Sequence, residues 1–302
     1  MVLTAALGVL TAAAIAGYFA GFFTGPGQRD PFALPATPAS YAGLYLRGVP
    51  LTYTGINSWS AATGVRPGVV MYYSSWPEPF QAGFAKTVAS HGAVPLVQIN
   101  PTGINVAAIA AGQYDSYLTT YARAVRAYDR PVIMSFGHEM NGTWYSWAYT
   151  HTSPAVFVRA WQHVVTVFRA QGAANVTWMW TVNAIQSPKG VPSPRPWWPG
   201  RSYVDWVGID GYYSSASIKF SSLFGPTITV VRELTKDPIL IAETAATSAA
   251  GQPAKIADLF AGIRLYGLLG LVWFSVEDWQ LSSPAAVAAF RRGTQSYRRP
   301  TP

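Results

Sequence analysis

The amino-acid sequence predicts a (β/α)8 TIM barrel preceded by an N-terminal hydrophobic helix and a Pro-rich linker. Three observations predict it. Short apolar runs alternate with longer segments of helical period, eight such runs can be counted, and a span of about 250 residues holds them all. Half of the 302 residues are hydrophobic and only 11% are charged, with a mean hydropathy of +0.17. That is enough apolar material for one large core and too little charge for a disordered chain. A doubly wound open sheet is the alternative. The glycine-rich nucleotide loop it often carries is missing, since "GPGQRD" fits neither G-x-G-x-x-G nor the P-loop pattern.

In chain order, residues 2–23 carry no charged side chain, and about twenty such residues suffice to span a bilayer. A basic n-region is absent, so residues 1–24 are expected to form a membrane anchor, with a cleaved signal peptide or a buried helix as alternatives. Pro26, Pro31, Pro35 and Pro38 make residues 25–41 a semi-rigid spacer. The barrel is expected over residues 42–297, followed by a basic tail at 298–302. Its strands are expected at 43–49, 68–73, 93–100, 131–139, 175–183, 203–213, 238–245 and 270–278. The intervening helices include "SPAVFVRAWQHVVTVFRAQG", which opens with Ser153 at the N-cap and Pro154 at the first helical position and stops at Gly172. The segments "YDSYLTTYARAVRAY" and "PAKIADLFAGIRLYG" repeat the three-to-four spacing of apolar residues.

The net charge of +8 suits an anionic partner, but no basic stripe is interleaved with aromatics, so no nucleic-acid partner is expected. Without cysteine there is neither a disulfide framework nor a thiolate metal site. "HEMNG" fails the H-E-x-x-H pattern at Gly142, and His91, His138, His151 and His163 show no ligand spacing. No G-x-S-x-G elbow is present. No metal and no cofactor are expected, and the chain is expected to be a monomer.

In a TIM barrel the chemistry sits at the C-terminal strand ends. Those ends supply Tyr72, Tyr73, Trp76, Gln98, Asn100, His138, Glu139, Asn141, Trp144 and Asn183 in the first five units. The remaining three add Asp210, Tyr212, Tyr213, Glu243, Trp273, Glu277, Asp278 and Trp279. The N-terminal ends offer mostly Gly, Pro, Ala and Val. Strand alternation places Ile133, Ser135, Gly137 and Glu139 on one face, and likewise Ile239, Ile241 and Glu243. If both faces point inward, two carboxyls converge above the core, as glycoside hydrolysis requires. Either glutamate alone could equally be a strand-end carboxylate in a salt bridge.

The stretches "FGHEMNGTWYSW", "PWWPGRSYVDWVGIDGYY" and "ILIAETA" resemble glycoside hydrolase family 26, which includes β-mannanases, from about Tyr41 to about Trp279. The resemblance implies a retaining glycosidase with Glu139 as acid/base and Glu243 as nucleophile. It implies that His138 and Tyr212 orient this pair by donating hydrogen bonds to Glu243. It further implies that Trp144 and Trp273, or Trp279 in its place, line the cleavage subsite, and that Asp205 and Asp210 support its wall. A histidine that some mannanases of the family place in that subsite has no clear match. The retaining mechanism needs the carboxyls about 5 to 5.5 Å apart, with Glu139 protonated and Glu243 ionised.

The function expected is therefore an endo-acting β-glycosidase of the cell surface or exterior, its partner a polysaccharide, with β-mannan or glucomannan the leading substrate and a related β-glucan or β-xylan next. A row of aromatics at the ends of strands two, four, six and eight is expected to carry the polymer. An envelope-remodelling transglycosylase and a non-catalytic glycan-binding protein are the alternatives.

Overall fold

The computed structural model describes residues 31–185, 190–295 and 297. The chain divides into residues 1–31 and 32–302, and the barrel belongs to the second unit. The expected anchor and the basic tail lie outside the described residues. Among the described residues no helix is long and apolar enough to cross a membrane.

Eight strands pair in sequence order into a closed parallel barrel. They are β1 (Tyr41–Leu46), β2 (Val69–Ser75), β3 (Val94–Asn100), β4 (Val132–Phe136), β5 (Val176–Asn183), β6 (Trp206–Asp210), β7 (Ile239–Thr244) and β8 (Gly270–Ser275). The helices between and after them are α1 (Thr54–Thr63), α2 (Ala82–Ser90), α3 (Val106–Ala110), α4 (Asp115–Tyr128) and α5 (Pro154–Ala170), then α6 (Phe220–Leu223), α7 (Gly225–Leu234), α8 (Gln252–Leu265) and α9 (Pro284–Thr294). α5 shows why the local sequence suffices: Ser153 is extended at its N-cap, Pro154 supplies a preset φ, and Phe157, Ala160, Trp161, Val164, Val165 and Phe168 bury one face. Closure is made by β1 against β8, in register from Tyr41–Gly270 to Leu46–Ser275.

Burial on both faces explains the near-continuous apolar runs. One face of the strands fills the barrel interior with Tyr41, Val69, Met71, Val94, Leu96, Ile133, Met179, Trp206, Leu240 and Val272. The other packs against the helices in a larger layer that includes Val70, Val132, Trp180, Ile239, Ile241 and Trp273. Full burial of each large apolar side chain stabilises the fold by about 1.5–3 kcal/mol.

Two expected strand phases are corrected. β4 ends at Phe136, and Glu139 does not follow its alternation, because Gly137 and Glu139 take left-handed φ values of 57° and 53°. The chain stays attached to both neighbours through Gly137 N–H to the Ile99 carbonyl at 2.8 Å and Glu139 N–H to the Thr181 carbonyl at 3.0 Å. On β7, Ile239 and Ile241 face the helices, so strict alternation would have turned Glu243 outward. A register shift opposite Ile209 and Asp210 rephases the strand: Ile209 pairs with Ile241, yet Asp210 pairs with Glu243.

Candidate active site

Glu139 stands on the turn after β4, where the Gly142 N–H bonds its carbonyl at 2.8 Å. Asn183, the last residue of β5, donates from Nδ2 to Glu139 Oε1 at 2.6 Å, and Trp144 donates from Nε1 to Oε2 at 2.7 Å. The indole lies so close over Gly142 that a Cβ there would come within 2.4 Å of its Cζ2, so this turn requires glycine. Trp144 is nonetheless 49% exposed, presenting surface to the cleft. Asn141 anchors the same turn by pairing with the Asn183 backbone, accepting from its N–H and donating to its carbonyl, both at 2.9 Å.

Glu243 is held from β2 and from the segment that follows β6. Tyr73 on β2 donates to its Oε1 at 2.5 Å, and Tyr212, beyond β6, donates to its Oε2 at 2.8 Å. His138 does not donate to it as the resemblance implied, because its Nε2 stays 3.9 Å from Glu243 Oε1. The imidazole is spent elsewhere: Nδ1 donates to Asn100 Oδ1 and Nε2 accepts from the Tyr145 hydroxyl, each at 3.0 Å. Burial holds it neutral, with its pKa pushed down to about 3. It acts as a wedge between Tyr73 and Tyr145, with ring centroids at 5.4 and 4.8 Å.

Both glutamates are almost fully buried. Burial raises Glu139 against the lowering effect of Asn183 and Trp144. Glu243 is pushed up to about 8, by burial first and then by the charge of Glu139, against its two tyrosines. The two carboxyls act on each other and titrate as a pair. All four side-chain donors, Asn183 and Trp144 on one carboxyl and Tyr73 and Tyr212 on the other, favour the ionised form of the group they touch.

The aromatic wall differs in part from expectation. Trp273 is fully buried among the helix-side residues, its ring 5.5 Å from Phe290 on α9. One residue decides this, since Val272 faces the interior and Trp273 must face the other way. The partly exposed Phe274 reaches the barrel mouth instead, 4.9 Å from Tyr45 and 5.7 Å from Tyr212. Trp279 lies 4.9 Å from Tyr212 on the same side. Trp76 is buried beneath Tyr117 at 4.3 Å, so the end of β2 offers no stacking platform through it. Asp205 precedes β6 and accepts from the Trp178 N–H at 2.8 Å. It sits about 16 Å of strand away from Asp210, at the opposite barrel end, and supports no wall of the cleft. Asp210 ends β6 beside Glu243, fully buried.

The family model for glycosyl hydrolase family 26 matches residues 65–252. The chain belongs to this family. Endoglucanase H of Acetivibrio thermocellus is 31% identical over 258 residues, 79% of this chain and 28% of that protein. Beta-1,3-xylanase TXYA of a Vibrio species is 29% identical over 167 residues, 51% of this chain and 35% of that one. The chain thus spans about a third or less of the curated relatives it matches. Bacillus subtilis mannanase BCman superposes with a TM-score of 0.66 at 16% identity over 87% of both chains. A modular endo-beta-1,4-mannanase from Cellulomonas fimi gives 0.67 at 16% identity over 85% of this chain and 71% of that one. At such identities these two show the barrel alone.

Within this family 26 barrel, Tyr73, Asn183, Asn100 and Tyr145 are site residues to which sequence reasoning assigned no role. Tyr73, Asn183 and Asn100 were visible as polar strand ends. Tyr145 lay inside "FGHEMNGTWYSW" without a charge to mark it. Among the described residues no group of three or more His, Asp or Glu is placed to hold a metal ion.

Proposed function

We propose that the protein is a retaining endo-β-glycosidase in which Glu243 is the nucleophile and Glu139 the acid/base. The observation that carries this is the split environment of the two carboxyls: each accepts two hydrogen bonds, from separate donor sets on different parts of the barrel mouth. Glu243 attacks the anomeric carbon while Glu139 protonates the leaving oxygen. Water, deprotonated by Glu139, then releases the sugar with net retention. In the reacting complex Glu139 carries the proton and Glu243 is the anion that its two tyrosines favour. The exposed face of Trp144, beside the acid/base, is the stacking surface for a sugar ring, and Tyr45, Phe274 and Trp279 form the opposite wall.

A β-glucan leads as substrate, because the 31% identity to an endoglucanase extends over most of the chain. β-1,3-Xylan comes next, supported by 29% identity over half of it. β-Mannan, first on the sequence resemblance, is supported here only by fold likeness. A panel of mixed-linkage glucan, glucomannan, mannan and β-1,3-xylan, assayed for new reducing ends, ranks them. Polymers cut faster than disaccharides would support the endo-acting assignment, and the reverse would remove it. Product chain length at high glycan concentration distinguishes hydrolysis from transglycosylation. The uncharged residues 2–23 and the prolines after them support placement at the cell surface or outside. Full-length protein recovered wholly from the cytoplasmic fraction would contradict that placement.

A further inference from the structure

Asp210 lies between Asn183 of β5 and Glu243 of β7 in the register of the sheet. It is fully buried, and neither of its carboxyl oxygens has a hydrogen-bond partner among the described residues. A carboxylate so placed loses its hydration, and only the Glu243 backbone N–H acts on it as a donor in return. The titratable groups that face it are Glu243 from β7, Glu139 from the turn after β4, Tyr145 from the same loop and Tyr212 two residues further on. None of them is a cation. Burial first, then Glu243, then Glu139 push the carboxyl well above the usual aspartate range, and the backbone N–H of Glu243 offsets only part of this.

Asn183 shows the complementary defect. Its Nδ2 is committed to Glu139 Oε1 at 2.6 Å and its backbone N–H to Asn141 Oδ1 at 2.9 Å. Its Oδ1, also buried, has no donor among the described residues. A protonated carboxyl and an undonated amide oxygen, at matched register on strands about 4.8 Å apart, can complete each other.

We propose that Asp210 is kept as the neutral acid and donates its O–H to Asn183 Oδ1, which fixes the Asn183 amide with Nδ2 toward Glu139. No proton travels along this chain. Its work is orientation: a flipped amide would set Oδ1 against the Glu139 carboxyl, acceptor facing acceptor, and would leave Nδ2 against the Asp210 hydroxyl. The neutral state also spares the two glutamates a third negative neighbour. Asp210 is thus a positioning residue that acts on Glu139 through Asn183. The kinetic consequence rests on Glu139 being the acid/base, but the protonation itself does not.

The primary test is infrared difference spectroscopy in the carboxylic-acid carbonyl region, wild type against Asp210→Asn at pH 7. One protonated-carboxyl band is expected to disappear, whereas loss of a carboxylate band instead would overturn the proposal. Should Asp210→Asn not fold, the Glu139→Gln/Glu243→Gln double variant serves, since one protonated-carboxyl band must survive there at pH 7 and its absence is equally decisive. In kinetics, Asp210→Ala is expected to lower kcat about tenfold or more with KM little changed. Asp210→Asn, whose amide can donate to Asn183 Oδ1, should restore most of that loss with both limbs of the pH profile in place. An ionised Asp210 predicts otherwise: its replacement by Asn would relieve repulsion and move both limbs to lower pH by about a unit, which would overturn the proposal. If no glycan is turned over, the proposed function fails while the infrared result still decides the state of Asp210.

Discussion

The barrel interior changes character along the strand direction. Its N-terminal half is filled by Val69, Met71, Val94, Leu96, Ile133 and Met179, which ask nothing of their neighbours but contact. Its C-terminal half holds Tyr73, Gln98, Ser135, Thr181 and Asn183 on the same strands and the same face and Asp210 beside them on β6, with Glu139 and Glu243 above. Some of this second set is paired, as Ser135 Oγ is with Thr181 Oγ1 at 3.0 Å. Other members are not: both amide atoms of Gln98 and both oxygens of Asp210 are buried without a hydrogen-bond partner among the described residues. One half stabilises the fold, and the other carries strained, desolvated groups that the first must hold in place.

If that division is right, substitutions in the two halves should dissociate activity from stability. The largest effect is expected at the top. Glu243→Ala should lose about four or more orders of magnitude in kcat on every substrate, because no glycosyl intermediate can form, with the melting temperature unchanged or raised. Glu139→Ala should lose about 10²- to 10⁴-fold on polymer. It should keep its first step on aryl glycosides whose leaving groups need no proton, and azide should accelerate the second step to give a β-glycosyl azide. Azide rescue of Glu243→Ala to an α-glycosyl azide, with Glu139→Ala unaffected, would exchange the two roles.

A smaller effect is expected at the tyrosines. Tyr212→Phe removes a donor to the ionised form of Glu243, so the acidic limb of the pH profile should move to higher pH and kcat should fall about 10- to 100-fold. An unmoved limb would show that Tyr212 does not tune the nucleophile. In the lower half the pattern should invert. Leu96→Ala should cost about 2–5 kcal/mol in denaturant unfolding yet leave kcat/KM unchanged well below its melting temperature.

The least expected effect is also the one that most sharpens the comparison. Glu243 binds its proton more tightly folded, at about 8, than unfolded, at about 4.3. The stability it contributes is therefore full below the lower value and is lost as pH rises through the upper one. Glu243→Gln removes that loss. The variant should be more stable than wild type by up to about 3 kcal/mol at pH 7, with the difference fading toward pH 4. A variant less stable at both pH values would place Glu243 with the structural half.

These particulars also show what could be read from the chain itself. Eight apolar runs bounded by Gly and Pro specify a parallel barrel, since strands buried on both faces need little else. Glu139 and Glu243 stood out as the carboxyls at the ends of two such runs. Their phase was not legible, because the left-handed turn at Gly137 and Glu139 and the register shift on β7 break the alternation used to aim them. The same period of two explains Trp273, where a one-residue difference separates the helix layer from the cleft that Phe274 reaches. Asp205 and Asp210 lay within one expected strand, and only its true start at Trp206 puts them at opposite ends. Asn183 and Tyr73 carry no charge and no motif, so their donation to the two glutamates emerges only when β2, β5 and β7 close into one barrel.

The claim on which the proposed mechanism depends is that Glu243 forms the covalent bond to the sugar. It is tested most directly by trapping that bond with a 2-deoxy-2-fluoro β-glycoside of the sugar selected by the glycan panel, bearing an activated leaving group, followed by digestion and mass spectrometry. The expected result is time-dependent inactivation with one fluoroglycosyl group on the peptide that contains Glu243. A label on the Glu139 peptide, or continued turnover of the polymer with neither peptide labelled, would contradict it.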